Sequence, residues 1–173
     1  THEPDFADAH YNLGNALKQK GDLKQAIESY KTSLSINPSD AEVLLNYGNA
    51  LKRYGDFEQA IGIYAQALKL DPNSTAAQIN MKNAIEEKTD IDNQVSTYAR
   101  MSNLEIGSAE IVSFTATLLK ARGYLDAAID SYKEAIKIKP DYAEAYKNMG
   151  NALRQKGDLD AARESYKQAI NIK

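Results

Sequence analysis

The sequence contains no cysteine, which excludes disulfide bonds and thiolate metal sites. That accords with a reducing compartment, and the cytoplasm is the expected location. His2 and His10 are the only histidines. They do not form the His–Glu spacing of a zinc site, and no nucleophile–base arrangement can be assembled around them. His10 instead reads as a packing residue at the start of the first helix. The glycines are isolated, so no loop can cradle a phosphate. No stretch approaches the ~18 apolar residues of a membrane span, and the N-terminus does not resemble a signal peptide. Charge of one sign is scarce too: the formal net charge of −3 lacks the basic excess of nucleic-acid binders. Together these absences argue against an enzyme, a metal or other cofactor, nucleic acid and membrane. The chain begins at Thr1 without Met and stops inside a repeat, as a fragment of a longer protein does.

What is present is a period. Gly14 and Gly48 stand 34 residues apart, and Ala26 and Ala60, Tyr30 and Tyr64, and Pro38 and Pro72 keep that interval. It returns between Ala128 and Ala162 and between Tyr132 and Tyr166. Self-similarity at a fixed period of this size marks stacked supersecondary units, each unable to bury its apolar face alone. Such a stack offers a long groove rather than an enclosed catalytic pocket. At 43% hydrophobic residues, the chain can fill a core.

The unit is plainest in residues 41–74. Val43, Leu44, Tyr47, Ala50 and Leu51 form one amphipathic stripe, and Phe57, Ala60, Ile61, Tyr64, Ala67 and Leu68 form a second. Gly55 can supply a left-handed helix end and Asp56 a cap for the next helix. Pro72 marks the exit to the following unit. The spacing therefore predicts an antiparallel helix pair in each of 7–40, 41–74, 109–142 and 143–173. One all-α domain is expected over 1–173. Gly14, Gly48, Ala116 and Gly150 on first helices, with Ala26, Ala60, Ala128 and Ala162 on second helices, permit close approach. Tyr30, Tyr64, Tyr132 and Tyr166 read as core.

Segment 75–108 has the same length but lacks most of these marks. Lys82 replaces the small residue, Gln94 replaces Ala, Ile106 replaces Pro, and no Gly stands near Lys88-Thr89. Tyr98 survives in register. With Thr89-Asp90-Ile91-Asp92 available as a capping box, the segment is read as a degenerate hairpin. A hinge, a docking surface and a continuous helix that skips the turn are the alternatives.

The run Asn12-Leu13-Gly14-Asn15-Ala16, the Gly21-Asp22 turn, Ala26, Tyr30 and the Asn37-Pro38 ending resemble tetratricopeptide repeats, and the likeness extends over nearly the whole chain. The Asn-rich first helices are also similar to the repeat arm of O-linked N-acetylglucosamine transferases. The resemblance implies an α-solenoid, a right-handed superhelix with first helices lining a concave groove. It also implies a role in binding peptides or partner proteins.

On first helices Asn recurs in pairs three residues apart: Asn12 and Asn15, Asn46 and Asn49, Asn80 and Asn83, Asn148 and Asn151. Each pair shares a helix face. An amide carries one acceptor and two donors, which suits it to the backbone of an extended peptide. In the family resembled, the Asn two residues before the small Gly lines the groove, which implies that role for Asn12, Asn46, Asn148 and Asn80. The Asn just after the Gly either shares it or is structural, bonding within or between neighbouring helices. Phe114 and Thr117 interrupt the ladder, leaving either an apolar pocket or a gap. Asp8, Glu42, Glu110 and Glu144 lie near first-helix starts, and Lys18, Lys52, Arg53, Lys120 and Arg154 near their ends. Helix dipoles favour that order by ~0.3–1 kcal/mol each. A groove with one acidic and one basic wall, orienting a mixed-charge ligand, is the functional alternative. Lys18, Lys52, Arg53 and Arg154 therefore join the candidate peptide-binding residues. The carboxylate clamp of chaperone-adaptor repeats is not expected: Asn15 and Asn46 match it, but Tyr11, Ala76 and Asn80 stand where it needs charge.

The expectation is thus a protein-interaction scaffold with a protein or peptide partner. A regulatory or substrate-recruiting arm of a larger glycosyl- or methyltransferase is the alternative. So is a self-assembling repeat protein, in which Tyr166, Ala169 and Ile170 of the uncapped last repeat pair with another copy.

Overall fold

Apolar spacings of three and four, punctuated by Gly and Pro, resolve into helices in the order read from the sequence. The structure, a computed structural model, describes residues 4–172. Its helices are α1 Pro4–Lys20, α2 Leu23–Ile36, α3 Ala41–Tyr54, α4 Phe57–Leu70, α5 Thr75–Ser102, α6 Ala109–Ala121, α7 Leu125–Ile138, α8 Ala143–Lys156 and α9 Leu159–Asn171. No strand occurs among the described residues.

The α3–α4 pair shows how local chemistry makes the hairpin. Asp40 opens α3 by accepting from the backbone N–H of Glu42 and Val43, which satisfies donors that a helix start leaves orphaned. Gly55 closes it at φ 101°, its N–H bonded to the carbonyls of Leu51 and Lys52. A side chain at that φ is strained, so glycine stands there. Asp56 then caps α4 through the N–H of Gln59. Ala60 and Tyr64, both 0% exposed, face α3. Tyr30 and Tyr132 are equally buried, and each fully buried large side chain contributes about 1.5–3 kcal/mol.

Segment 75–108 departs from the expected hairpin. Helix α5 runs unbroken through Lys88-Thr89, so Thr89-Asp90-Ile91-Asp92 does not start a second helix. Two residues account for this. The left-handed turns at Gly21, Gly55, Gly123 and Gly157 correspond by the 34-residue interval to Thr89, and a β-branched residue at φ > 0 is a genuine outlier. Lys82 stands where Gly48 lets Tyr64 lie against the helix; a methyl group there would sit 2.5 Å from the ring. At Ala116 a lone methyl is accommodated and Tyr132 still packs, but a lysine adds a whole side chain to the same space. Asp90, free of a capping role, accepts from Gln94 and Arg122. The Arg122 guanidinium holds its carboxyl below the usual range.

The chain forms two compact units that divide between Lys88 and Thr89, inside α5. The single domain expected over 1–173 thus contains two compact bodies. In unit 1, Leu44, Ala67 and Ala77 form a buried cluster joining α3, α4 and the first half of α5, with Leu34, Leu45, Ile63 and Leu68 against it. In unit 2, Ile91 and Ala99 of the second half of α5 are buried. Tyr98 there stacks on Phe114 of α6 with ring centroids 4.0 Å apart. Helices α6–α9 follow, each packed on its neighbour.

Candidate functional site

The first helices of unit 1 are laced to one another by polar side chains on a single face. Tyr11 donates its hydroxyl to Glu42 Oε1 at 2.6 Å. Asn46 Nδ2 donates to the Tyr11 oxygen at 3.0 Å and to the Glu42 carbonyl at 3.2 Å. Lys18 Nζ donates to Asn46 Oδ1 at 2.6 Å and lies 5.8 Å over the Tyr30 ring. Arg53 Nη1 donates to the Lys18 carbonyl at 3.0 Å. One amide, one phenol, one carboxylate and one ammonium thus bridge α1 and α3. A network whose members satisfy one another holds its geometry.

Desolvation, and after it the nearby Arg53 charge, lowers the Lys18 pKa. Burial and the hydrogen bond to Glu42 push the Tyr11 phenol up. Lys18 and Arg53 therefore bring two positive charges together, and they donate to a neutral amide and a backbone carbonyl. The ammonium keeps two further N–H groups. What this face can do chemically is donate hydrogen bonds, from Lys18, Arg53 and the exposed Asn12, to the carbonyl or carboxylate oxygens of a ligand.

The Asn after the small residue has a different setting. Asn15 Oδ1 accepts from Tyr30 at 2.7 Å, Asn49 Oδ1 from Tyr64 at 2.8 Å and Asn151 Oδ1 from Tyr166 at 2.9 Å. In the 109–142 unit Thr117 fills this place, 2.9 Å from the Tyr132 hydroxyl. A phenol buried without a partner costs the desolvation of its hydroxyl, and these side chains supply the partner. Of the two readings left open for this set, bonding within the hairpin describes its amide oxygens. Asn49 Oδ1 also accepts from Asn80 Nδ2 at 2.9 Å, tying α5 to α3. Phe114 is stacked against Tyr98, with ring centroids 4.0 Å apart.

The remaining candidates are less engaged. Asn83 and Arg154 are exposed, and Lys52 and Asn148 are half-buried. Asn12, Asn15, Asn46, Asn49, Asn80 and Asn83 belong to unit 1, with Lys18, Lys52 and Arg53; Asn148, Asn151 and Arg154 belong to unit 2. Sequence reasoning missed the bridging role of Tyr11. Its signal was weak: the position is Leu45 one repeat later, so no periodicity marks it. His10 is half-buried. Among the described residues no group of three or more acidic or histidine side chains can hold a metal ion. No described helix is long and apolar enough to cross a membrane.

Helix pairs repeating at one interval, with a polar first-helix face, define an α-helical repeat protein. Family models of the tetratricopeptide repeat match residues 7–40 and 143–173 and, in a second form, 41–74, and a model described as TPR repeat matches 117–153. The chain belongs to the tetratricopeptide-repeat family and is an interaction scaffold of that kind. Among solved structures it is similar to one described as the crystal structure of MamA protein. The two share 26% identity at a TM-score of 0.49, over 98% of this chain and 93% of the other. It is also similar to MamA 41-end from Desulfovibrio magneticus RS-1, at 18% identity and TM-score 0.48, over 99% and 97%. A third is YrrB, described as a TPR protein with an unusual peptide-binding site, at 20% identity and TM-score 0.44, over 95% and 84%. No curated protein matches the sequence.

Proposed function

We propose that this scaffold binds an extended segment of a partner protein along the first-helix face of its repeats. In unit 1 that face is α1, α3 and the first half of α5; in unit 2 it includes α8. The observation that carries the reading is the Asn46 amide, held between Tyr11, Glu42 and Lys18 while only half-buried. A polar group fixed before the ligand arrives loses little freedom on binding. Asn12, Asn83 and Asn148 meet the ligand backbone, and Asn46, whose two N–H groups are given to Tyr11 and Glu42, offers it the second lone pair of Oδ1. Lys18, Lys52, Arg53 and Arg154 draw in its acidic groups. Asn80 holds α5 against α3 beside them, and Asn15, Asn49 and Asn151 seat the tyrosines behind that face.

The test is a fluorescent library of extended decapeptides, titrated against the intact chain and against a variant combining Asn12→Ala, Asn46→Ala and Asn148→Ala. Losing the amides is expected to weaken the bound members by about tenfold or more, at roughly 1 kcal/mol per hydrogen bond. Equal affinity for both proteins would remove the amides from the site.

Self-association has one observation of its own. On α9, Ile170 is 72% exposed and Tyr166 only half-buried, whereas the equivalent Tyr30, Tyr64 and Tyr132 are 0% exposed. With Ala143, Lys147 and Ala169 they line a hollow of about 630 Å³. A second copy can cover it. A molar mass that stays monomeric across a hundredfold dilution series in light scattering counts against that.

A further inference from the structure

Many cations of this chain sit against a carboxylate. Lys20 lies 2.8 Å from Asp22, Lys139 2.9 Å from Glu110 and Arg163 3.1 Å from Asp160. Lys18 and Arg53 differ: among the described residues, no carboxylate lies within ion-pair distance of either. Glu42, on the same face, accepts from the Tyr11 hydroxyl instead. The two cations nevertheless share one place. Arg53 Nη1 bonds the Lys18 carbonyl, and desolvation followed by the Arg53 charge lowers the Lys18 pKa. One repeat on, the same two places hold Lys52 and Glu87, of opposite sign, and across 109–173 they hold Lys120 and Gln155. Two like charges stand at this register only on α1 and α3.

Helix-end chemistry accounts for part of this. The last carbonyls of α1 favour a nearby cation, and the Arg53 bond to the Lys18 carbonyl supplies it. A second cation in the same turn adds repulsion, which an anion between the two relieves. The donors for such an anion are in place. Arg53 carries five N–H groups and uses one on the carbonyl; Lys18 carries three and uses one on Asn46 Oδ1 at 2.6 Å. Groups anchored before a ligand arrives lose little freedom on binding it. A planar fork beside an ammonium suits an oxyanion, which accepts from both. The ammonium is bonded to the same Asn46 oxygen that offers its other lone pair to a ligand N–H, so the oxyanion belongs to a residue at or beside that N–H.

We infer that Lys18 and Arg53 form a subsite for one side-chain oxyanion of the bound segment, a carboxylate or a phosphate. The inference rests on the first-helix face of unit 1 being the binding face, and it adds selection to that face. Amides hold any backbone, whereas this pair requires an acidic or phosphorylated residue at one point along the segment. The net charge of −3 opposes anions at long range, so the preference comes from the local pair and not from the field of the whole chain.

The probes are fluorescent decapeptides with amidated C-termini, in three arms that differ only at one central position: alanine, glutamate or phosphoserine. Each arm is titrated against the intact chain. The glutamate and phosphoserine arms are expected to bind about tenfold tighter than the alanine arm, the scale of one charge-assisted hydrogen bond. The tighter of the two tells carboxylate from phosphate. Arg53→Gln is expected to bring both down to the alanine arm. Lys31→Gln, which removes a charge from the exposed side of α2, is expected to keep the preference. Equal affinity across the arms overturns the inference while the amide face stands. So does a preference that survives Arg53→Gln, or one that Lys31→Gln removes as fully. If no arm binds, the peptide reading fails by itself, and acetate and inorganic phosphate test the pair directly. A saturable shift of the Arg53 Nε–H signal in NMR then supports the subsite, and a shift that stays linear in anion overturns it.

Discussion

Gly48 and Tyr64 share one space: a methyl group on Gly48 would lie 2.5 Å from Cε1 and 2.8 Å from Cδ1 of the buried ring. The ring lies flat on bare backbone, and its hydroxyl reaches Asn49 at 2.8 Å. Gly48→Ala is expected to destabilise unit 1 by about 1–3 kcal/mol, the usual cost of overpacking a filled site. The check is the urea midpoint, which should fall while the slope holds. An unchanged midpoint would mean that the ring is free to move aside.

The same contact bears on α5. Lys82→Gly with Thr89→Gly restores both the bare crossing and the left-handed turn, so the double variant is expected to fold 75–108 into a hairpin. Backbone Cα chemical shifts over residues 86–92 should be helical in the native chain and take left-handed turn values at position 89 in the double variant. Non-helical shifts there in the native chain would contradict the unbroken helix.

The period was legible because each of its members does a fixed steric task. Gly14, Gly48 and Gly150 meet a tyrosine ring, a place that takes nothing larger than the methyl of Ala116 in the 109–142 unit, and Gly21, Gly55, Gly123 and Gly157 take positive φ, which other residues rarely adopt. The same logic contained the outcome at 75–108. Lys82 and the missing glycine were visible, but the surviving Tyr98 and the capping sequence at Thr89 favoured a hairpin. Sequence shows which residues are odd, not which of two helical packings their sum prefers. Tyr98 kept its register by serving a different neighbour, Phe114. The Asn pairs were legible as a pair but not as two roles: Asn46 bridges first helices, whereas Asn49 seats Tyr64. Only the positions of the tyrosine hydroxyls separate them.

Alkaline pH tests those buried phenols. Desolvation, followed by the neighbouring Tyr11, raises the Tyr30 pKa from 10.0 to about 12, against a smaller opposing effect of Arg53. The folded value lies above the unfolded one, so the unfolded chain loses this proton first. The stability that Tyr30 contributes is full below pH 10 and is lost as pH rises towards 12. Tyr64 and Tyr132 are shifted in the same direction by burial. Urea midpoints measured from pH 8 to 11 should be level at first and fall above pH 10. Tyr30→Phe should soften the fall at the cost of leaving Asn15 Oδ1 without its donor. A midpoint independent of pH over that range would mean that the phenols are hydrated in the native state.

A ligand of unit 1 should touch the polar face of α1 and α3. Two-dimensional NMR of the intact chain, titrated with the tightest peptide of the decapeptide library, reads this without mutation. The expected result is that the Asn46 side-chain amide and the backbone amides of Asn12, Lys18 and Arg53 shift first and together, while α2 and α4 amides stay in place. Shifts confined to α2 and α4, with the Asn46 amide unmoved, would contradict it.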